Sequence, residues 1–522
     1  MTGPRFSIVT PVFNTNRRHL EQCISSVLVQ SFQDWELLLI DDMSSARHVR
    51  RVLERAAALD SRIKLHFRLE NGGIVSASND ALSMATGEFV VLLDHDDVLE
   101  PDALELVEEK LRSDDDIDYV YSDETMMTVG GQVNDRFYKP DWSPERFRSQ
   151  MYVCHLSTIR RSLMCELGGF RPGFDGAQDY DRIFRVTERA RKIAHVRHLL
   201  YHWRMAKTSV ANNAAAKPYA YEAGQRAIES SVARAGHTDR VSRVLEVPGN
   251  YKVSDRFTTT PTVELLIPSQ DRSSIVWGQL RSHGAATRED LLRDPGMDLR
   301  FRQIKVGSAL AANFNAASRD SNADIIIFVS PALKPITAGW AKELIQPLGD
   351  PEIGAVCGVT YTANSRLEHA GYFLDGSFLR KAYFRLGMND LGQRAVLNTT
   401  FEVSAADWQC LAVKRSVFET LNGFDESLEH PWVVVDFCLR AAQIKQSTVV
   451  NPWAKFFEFS NNDDLANPRI RAPKSFREQW SEVFESDPYR PERPRAQSVE
   501  SQRPFWRPMS LRTAERVRKG LQ

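Results

Sequence analysis

The stretch LLDHDDVLEP sets an apolar run directly against Asp94, His95, Asp96 and Asp97, and Pro101 follows at the opening of a helical pattern. Three carboxylates crowded at one strand end repel one another unless a cation lies among them. Hard oxygen ligands of this kind suit Mg²⁺ or Mn²⁺, and such an ion can also bridge a diphosphate. Taken alone, the cluster is equally well explained as a solvated acidic turn that caps the next helix. A second strand end, ELLLIDDMSS, presents Asp41 and Asp42, which could accept hydrogen bonds from a base or a ribose, or simply cap the helix that follows. In GFRPGFDGAQDYDRIFRV a glycine-rich loop delivers Asp179 and Asp181 to the first turn of an amphipathic helix. A carboxylate is favourable there with or without a catalytic role.

These acidic groups need a frame, and the pattern around them supplies one. Apolar runs at 6–10, 36–40, 63–67, 88–93 and 117–121 alternate with amphipathic stretches at 19–30, 47–59, 75–85 and 101–111. Short strands alternating with helices predict a mostly parallel sheet covered on both faces, an α/β fold whose ligands sit beyond the carboxyl ends of the strands. The order of elements then repeats. PRFSIVTPVFN is echoed by TVELLIPSQD, GEFVVLLDHDDVLEPDAL by ADIIIFVSPALKPITAGW, and LGGFRPGFDGAQDYDRIFRV by LNGFDESLEHPWVVVDFCLRA. Three echoes in the same order indicate an internal duplication. The expected organisation is a catalytic domain over 1–240, a linker over 241–260, a related domain over 261–475 and a C-terminal tail over 476–522, poorly ordered from Asp487 apart from a short helix over 511–519.

Composition narrows the function classes. The 522 residues, 42% hydrophobic and 26% charged, make a chain long enough for two packed cores. A formal net charge of −1 exerts no global pull toward nucleic acid, which is not expected as a partner. The six cysteines, at 23, 154, 165, 357, 410 and 438, form no CxxC pair and read as buried thiols of a reducing compartment. With no leader pattern at MTGPRFSIVTPVFN and no long apolar span, a cytoplasmic location is expected. Any membrane contact would be peripheral, through the tail RPFWRPMSLRTAERVRKGLQ. There Phe505 and Trp506 could seat at a lipid interface beside Arg503, Arg507, Arg512, Arg516, Arg518 and Lys519. A solvated basic tail is the plainer reading.

Together the three acidic motifs resemble glycosyltransferase family 2, whose members have the GT-A fold, and the resemblance covers nearly all of residues 5–236. It implies that Pro11, Phe13 and Asn14 line a nucleotide pocket, that Asp42 contacts the base, and that Asp94 lies nearer the ribose. Asn79 joins the donor-binding set. Asp96 would be the direct metal ligand with Asp97 assisting, and Asp179 the general base. His202 and Arg204, in YHWRMAKTS, would supply a further metal ligand and a diphosphate contact. His155 is an alternative ligand, although a lone histidine among apolar residues is more often structural. Ser78 stands where many family members carry arginine, which shifts diphosphate neutralisation onto the metal and other groups.

The implied reaction is a single displacement with inversion. Asp179 takes a proton from an acceptor hydroxyl while Mn²⁺ or Mg²⁺ neutralises the departing nucleoside diphosphate. The partners would be a nucleotide-sugar donor and a glycan or glycolipid acceptor, with cell-surface polysaccharide assembly as the setting. The second domain resembles the same family but is chemically depleted: Val329, Ser330, Pro331 and Ala332 replace the metal motif, and Val434 stands where Asp179 stands in the first. It would serve acceptor binding, domain packing or homo-oligomerisation. A non-catalytic saccharide-binding protein is the alternative. A nucleotidyltransferase would want a Gly-rich basic loop at the first strand, which TPVFNTNRRHL is not.

Overall fold

The computed structural model describes residues 3–205, 218–269, 297–305, 310–459, 468–491 and 510–515. The chain forms two compact units: Met1–Trp142, Met151–Ala235 and Pro491–Gln522 make the first, and Ser143–Gln150 with Gly236–Arg490 make the second.

The first unit is built on strands β1 (Phe6–Val12), β2 (Trp35–Asp41), β3 (Ile63–Phe67), β4 (Phe89–Leu92), β5 (Val98–Leu99), β6 (Ile117–Met127), β7 (Val133–Phe137), β8 (Ser157–Arg160) and β9 (Lys192–Arg204). They join in the order β3-β2-β1-β4-β8-β6-β9-β5, with β7 paired to β6. β1, β2, β3 and β4 run parallel, whereas β8 lies antiparallel between β4 and β6. Every residue of β2 and β4 is buried, the signature of strands covered on both faces. The helix Arg47–Leu59 buries Val49, Val52, Leu53 and Ala56, a stripe at three- and four-residue steps that seals one face. The helix Arg17–Leu28 starts where the Asn16 side chain accepts from the N–H groups of Arg18 and His19. Pro101 lies in the turn ahead of its helix, which runs from Ala103 to Arg112.

The second unit repeats this path. Leu299–Lys305, Val263–Ser269, Ile325–Val329, Cys410–Lys414, Ile353–Thr362, Ser447–Glu458 and Leu333–Pro335 stand in the order of β2, β1, β4, β8, β6, β9 and β5. The pairing senses match as well: parallel across the first three, antiparallel on both sides of Cys410–Lys414, parallel between Ile353–Thr362 and Ser447–Glu458. Both units are therefore α/β domains of one plan, the tandem GT-A arrangement.

Local devices repeat too. In the first unit Asn79 Nδ2 donates to the Phe170 carbonyl and Asn79 Oδ1 accepts the Phe170 N–H, both at 2.9 Å. Asn315 holds Phe424 in the same two-way grip, at 2.9 and 2.8 Å. Before each phenylalanine lies a glycine at positive φ, Gly169 at 68° and Gly423 at 75°, where a Cβ would stand 2.5 and 2.4 Å from the asparagine oxygen. Only glycine gives both the left-handed backbone and the room for the amide.

Two stretches differ from the sequence reading, and a third is helical as expected. Residues 241–260 are not a bare linker: Arg240–Arg243 pairs antiparallel with Tyr251–Ser254, and Arg256 Nη1 contacts Glu145 at 2.6 Å within the second unit. Order does not stop at Asp487, whose buried carboxylate accepts the N–H groups of Leu374, Tyr489 and Arg490 and the Ser404 hydroxyl. Near the C-terminus, residues 511–515 are helical, and Leu511 and Ala514 are fully buried in the core of the first unit. Phe505, Trp506, Arg503, Arg507, Arg516, Arg518 and Lys519, the residues of the lipid-contact reading other than Arg512, lie outside the described residues. Among the described residues, no helix is long and apolar enough to cross a membrane.

Candidate functional site

Parallel pairing of β1 with both β2 and β4 brings the carboxyl ends of three strands to one edge. β4 ends at Leu92, and the chain turns sharply, with Asp97 N–H donating to the Asp94 carbonyl at 3.1 Å, before β5 pairs antiparallel with β9 at Tyr201 and His202. β9 fixes the turn. Asp97 accepts from the Tyr201 hydroxyl at 2.6 Å and from the Arg204 N–H at 2.7 Å, and Arg204 Nε donates to the Asp96 carbonyl at 2.7 Å.

His155 enters from the loop ahead of β8. Its ring stacks on Tyr201 at 4.3 Å between centroids and meets Trp203 edge-on. Beneath it the buried Lys139 ammonium donates to the carbonyls of Val153 and His155, at 2.7 and 2.6 Å, and pairs with Glu124 at 2.9 Å. Tyr201 and Trp203 thus hold the ring, and Lys139 holds the backbone that carries it. Its Nε2 lies 3.8 Å from Asp94 Oδ2. Ligand atoms of Asp94, Asp97 and His155 all fall within 4.8 Å of one another, the one such group among the described residues.

The electrostatics of this group fit a divalent cation. Burial, with Asp179 and Asp96 nearby, pushes the Asp94 carboxyl up to about 8, although 42% of its side chain still reaches solvent. Burial together with Asp96 and Asp94 pushes Asp97 well above the carboxylate range. Burial lowers the His155 imidazole below its ordinary value, so it is neutral at pH 7 and keeps a ring lone pair. Crowded carboxylates that resist ionising and a neutral imidazole are what Mn²⁺ or Mg²⁺ would relieve and use.

Asp179 stands in the first turn of the helix Gln178–Thr187, about one-third exposed, and its charge is felt at Asp94. Asp181, two residues on, is sealed and pairs with Arg171 and Arg185. Phe13 is 46% exposed, and Met43 and Ile74, in the chain segments after β2 and β3, are exposed apolar residues too. The Pro11 carbonyl faces His95 Nδ1 at 3.0 Å, and Asn14 Oδ1 accepts the Ala46 N–H at 3.0 Å, tying the β1 and β2 ends together.

Several expected roles change. Both nitrogens of His202 are engaged, Nδ1 with Thr125 Oγ1 at 2.6 Å and Nε2 with Glu100 Oε1 at 2.7 Å. Strand alternation turns it away from Tyr201 and Trp203, so His155 and not His202 joins the carboxylates. Arg204 is 1% exposed and committed to Asp96, Asp97, Gln22 and Val129, which makes it a brace for the acidic turn rather than a diphosphate contact. Asn79 holds Phe170 and not a donor. Asp96 lies at the cluster but outside the converging group. Asp42 accepts from Arg68 at 2.5 Å and from the N–H groups of Gly72 and Gly73, so its carboxylate organises the loop after β3. Sequence reasoning missed Arg68, which bridges Asp42 and Asp80 where Ser78 leaves no cation. It also missed Arg182, a buried arginine three residues after Asp179, whose spacing was the available signal.

The model described as Glycosyl transferase family 2 matches residues 7–167, a span that holds Asp94, Asp97 and His155. This segment belongs to that family. The chain is 32% identical over 498 residues to protein y4gI of Sinorhizobium fredii, covering 90% of this chain and 55% of that protein. It is 30% identical over 452 residues to the O-antigen biosynthesis protein RfbC of Myxococcus xanthus, covering 82% of this chain and 35% of RfbC. Over 201 residues, 38% of this chain and 20% of the relative, it is 30% identical to the chondroitin synthase of Pasteurella multocida. The chain thus spans about half or less of the length of these relatives. The family 2 segment ends short of Asp179, which the first unit's own topology adds to the site.

Proposed function

We propose that the first unit is a metal-dependent, inverting glycosyltransferase that moves a sugar from a nucleotide-sugar donor to a hydroxyl of a glycan or glycolipid acceptor in cell-surface polysaccharide assembly. The observation that carries this reading is the meeting of Asp94, Asp97 and His155 with Asp179 at the carboxyl edge of β1 and β4. The polysaccharide biosynthesis names among the family 2 relatives support the setting. Mn²⁺ or Mg²⁺ held by Asp94, Asp97 and His155, with Asp96 on the outer side, would supply Lewis-acid neutralisation of the diphosphate. Asp179 receives the acceptor proton as the acceptor oxygen attacks the anomeric carbon, and direct attack inverts that carbon. Phe13, Asn14 and the Asp42 loop form the wall on which the nucleotide rests. The second unit, with Ser330, Pro331 and Ala332 after Ile325–Val329 and Val434 in place of the base, is a non-catalytic partner for the acceptor or for packing.

The test uses a set of sugar nucleotides with Mn²⁺, reading nucleoside diphosphate release and transfer separately. Asp179→Asn should keep nucleotide binding by calorimetry and lose transfer by about a hundredfold to ten-thousandfold. Undiminished transfer by Asp179→Asn would remove Asp179 from the chemistry. Nucleotide-sugar binding without release by the parent would leave a binding protein instead.

A further inference from the structure

Arg182 is 1% exposed at its side chain, and its Nε, Nη1 and Nη2 find no hydrogen-bond partner. Its nearest opposite charge is Asp179, with Nη2 3.1 Å from Oδ1 one helical turn back. The Phe170 ring lies 5.0 Å from the guanidinium carbon, and Asp94 adds a further favourable charge from the acidic turn. A buried guanidinium with unanswered N–H groups is expensive unless something beyond folding requires it.

The second unit gives an internal control. Asp181 pairs with Arg185, whose Nη1 and Nη2 donate to the carbonyls of Leu167 and Gly169 at 2.8 and 2.7 Å. Asp436 and Arg440 reproduce this arrangement on Leu421 and Gly423, at 2.7 and 2.9 Å. That pair therefore belongs to the fold. On the same helix register Asp179 becomes Val434 and Arg182 becomes Phe437, both buried. Where the base is absent the arginine is absent with it, and the helix still packs.

From this we infer that Arg182 is a positioning residue for the transfer reaction, a buried counter-charge that fixes the Asp179 carboxylate in the orientation in which it meets the acceptor hydroxyl. The inference rests on Asp179 being the base. Arg182 touches neither donor nor acceptor, because its guanidinium is sealed beneath Asp179. Its removal should free the Asp179 rotamer and leave the metal cluster and the β1 edge as they are.

The experiment uses the full chain with Mn²⁺ and the best sugar nucleotide, comparing Arg182→Leu, Arg182→Lys, Asp179→Asn and the double variant Asp179→Asn/Arg182→Leu in steady-state transfer assays. Arg182→Leu should lower kcat by about a hundredfold, as expected for a misplaced reacting group, with the donor KM within twofold of the parent. Arg182→Lys, which keeps a cation in the pocket, should recover part of that loss. On the Asp179→Asn background Arg182→Leu should cost nothing more, since the group it positions is gone. Unchanged kcat in Arg182→Leu overturns the inference. So does a full repeat of its loss on the Asp179→Asn background, which would place Arg182 in general folding. If Asp179→Asn itself transfers like the parent, the base assignment fails first, and that result is separable because it needs no Arg182 variant. Should Arg182→Leu not fold, Arg182→Met, which keeps the side-chain length without the charge, carries the test: parent-like kcat and KM with a lowered unfolding midpoint would assign Arg182 to stability alone.

Discussion

Replacing His155 and His202 separately should divide metal binding from stability. His202 is 1% exposed and makes two short hydrogen bonds, one to the buried Thr125 hydroxyl. Each is worth about 1 kcal/mol, and the Thr125 oxygen left unanswered adds about another 1 kcal/mol. His202→Ala should therefore cost the first unit about 3 kcal/mol, or roughly 6 to 12 °C in unfolding midpoint for a unit of this size. Its Mn²⁺ affinity in the presence of nucleoside diphosphate should stay at the parent value. His155→Ala should show the reverse pattern. The lost stack on Tyr201 costs about 1 kcal/mol, while removal of the buried, unanswered Nδ1 relieves a penalty of similar size. Stability should move little, yet Mn²⁺ affinity should fall at least as far as the ten- to hundredfold seen when only an outer partner of a ligand is lost. Titration calorimetry with Mn²⁺ and thermal unfolding in EDTA read the two quantities independently. A His202→Ala protein that folds like the parent and fails to bind Mn²⁺, or a His155→Ala protein that binds it normally, would refute the assignment.

Two further outcomes follow from buried polar contacts. Burial lowers the His195 imidazole, but hydrogen bonds to Asp123 at 2.9 Å and Asp141 at 3.0 Å outweigh it and hold the group above its ordinary value. A raised folded value means its contribution, about 2 kcal/mol for charged hydrogen bonds, is complete below about pH 6.5 and is lost as pH rises through the folded value. Denaturant midpoints of parent and His195→Asn measured from pH 5.5 to 9 should converge toward the alkaline end, and parallel curves would contradict this. Asn79→Ala and Asn315→Ala should each destabilise by about 2 to 3 kcal/mol, since each strands a phenylalanine N–H and carbonyl. Loss of nucleotide binding by Asn79→Ala at unchanged stability would restore it to the donor site.

The fold was legible because its central strands are buried on both faces and so appear as unbroken apolar runs. β3 and the helix Arg47–Leu59 fall on the expected residues, and the other early elements end within two residues of expectation except β6, which runs six residues past it to Met127. Strand ends in turn announce where carboxylates can gather, which is why Asp94, Asp96 and Asp97 were visible. Partners from distant segments were not visible. The YHWR segment shows no faces in the sequence; once β9 is known to run through Arg204, alternation sends His202 away from Tyr201 and Trp203. The grip of Asn79 on Phe170 spans 91 residues, and the brace of Arg204 on Asp96 spans 108. Neither leaves a local signature. Arg182 hides for the opposite reason, as a charge on the face of an amphipathic helix that pattern reading assigns to the core.

The two units separate what the architecture needs from what the chemistry needs. Both keep the strand path, the asparagine grip, the positive-φ glycine and the Asp–Arg brace at the helix start. The first alone keeps the crowded acidic turn, and that crowding opposes folding: a carboxyl raised to about 8 takes up a proton on folding, so Asp94 makes the cation-free unit less stable as pH climbs from the ordinary carboxylate range toward 8. At the equivalent strand end of the second unit Ser330 merely accepts the Ala332 N–H at 3.2 Å, and no like charges meet. Val434 and Phe437 remove the Asp179–Arg182 pair in the same way, replacing a strained ionic contact by apolar packing. The charged groups that lower the stability of the first unit are absent at the matching positions of the second, which keeps the same sheet without them, so the fold itself does not require them.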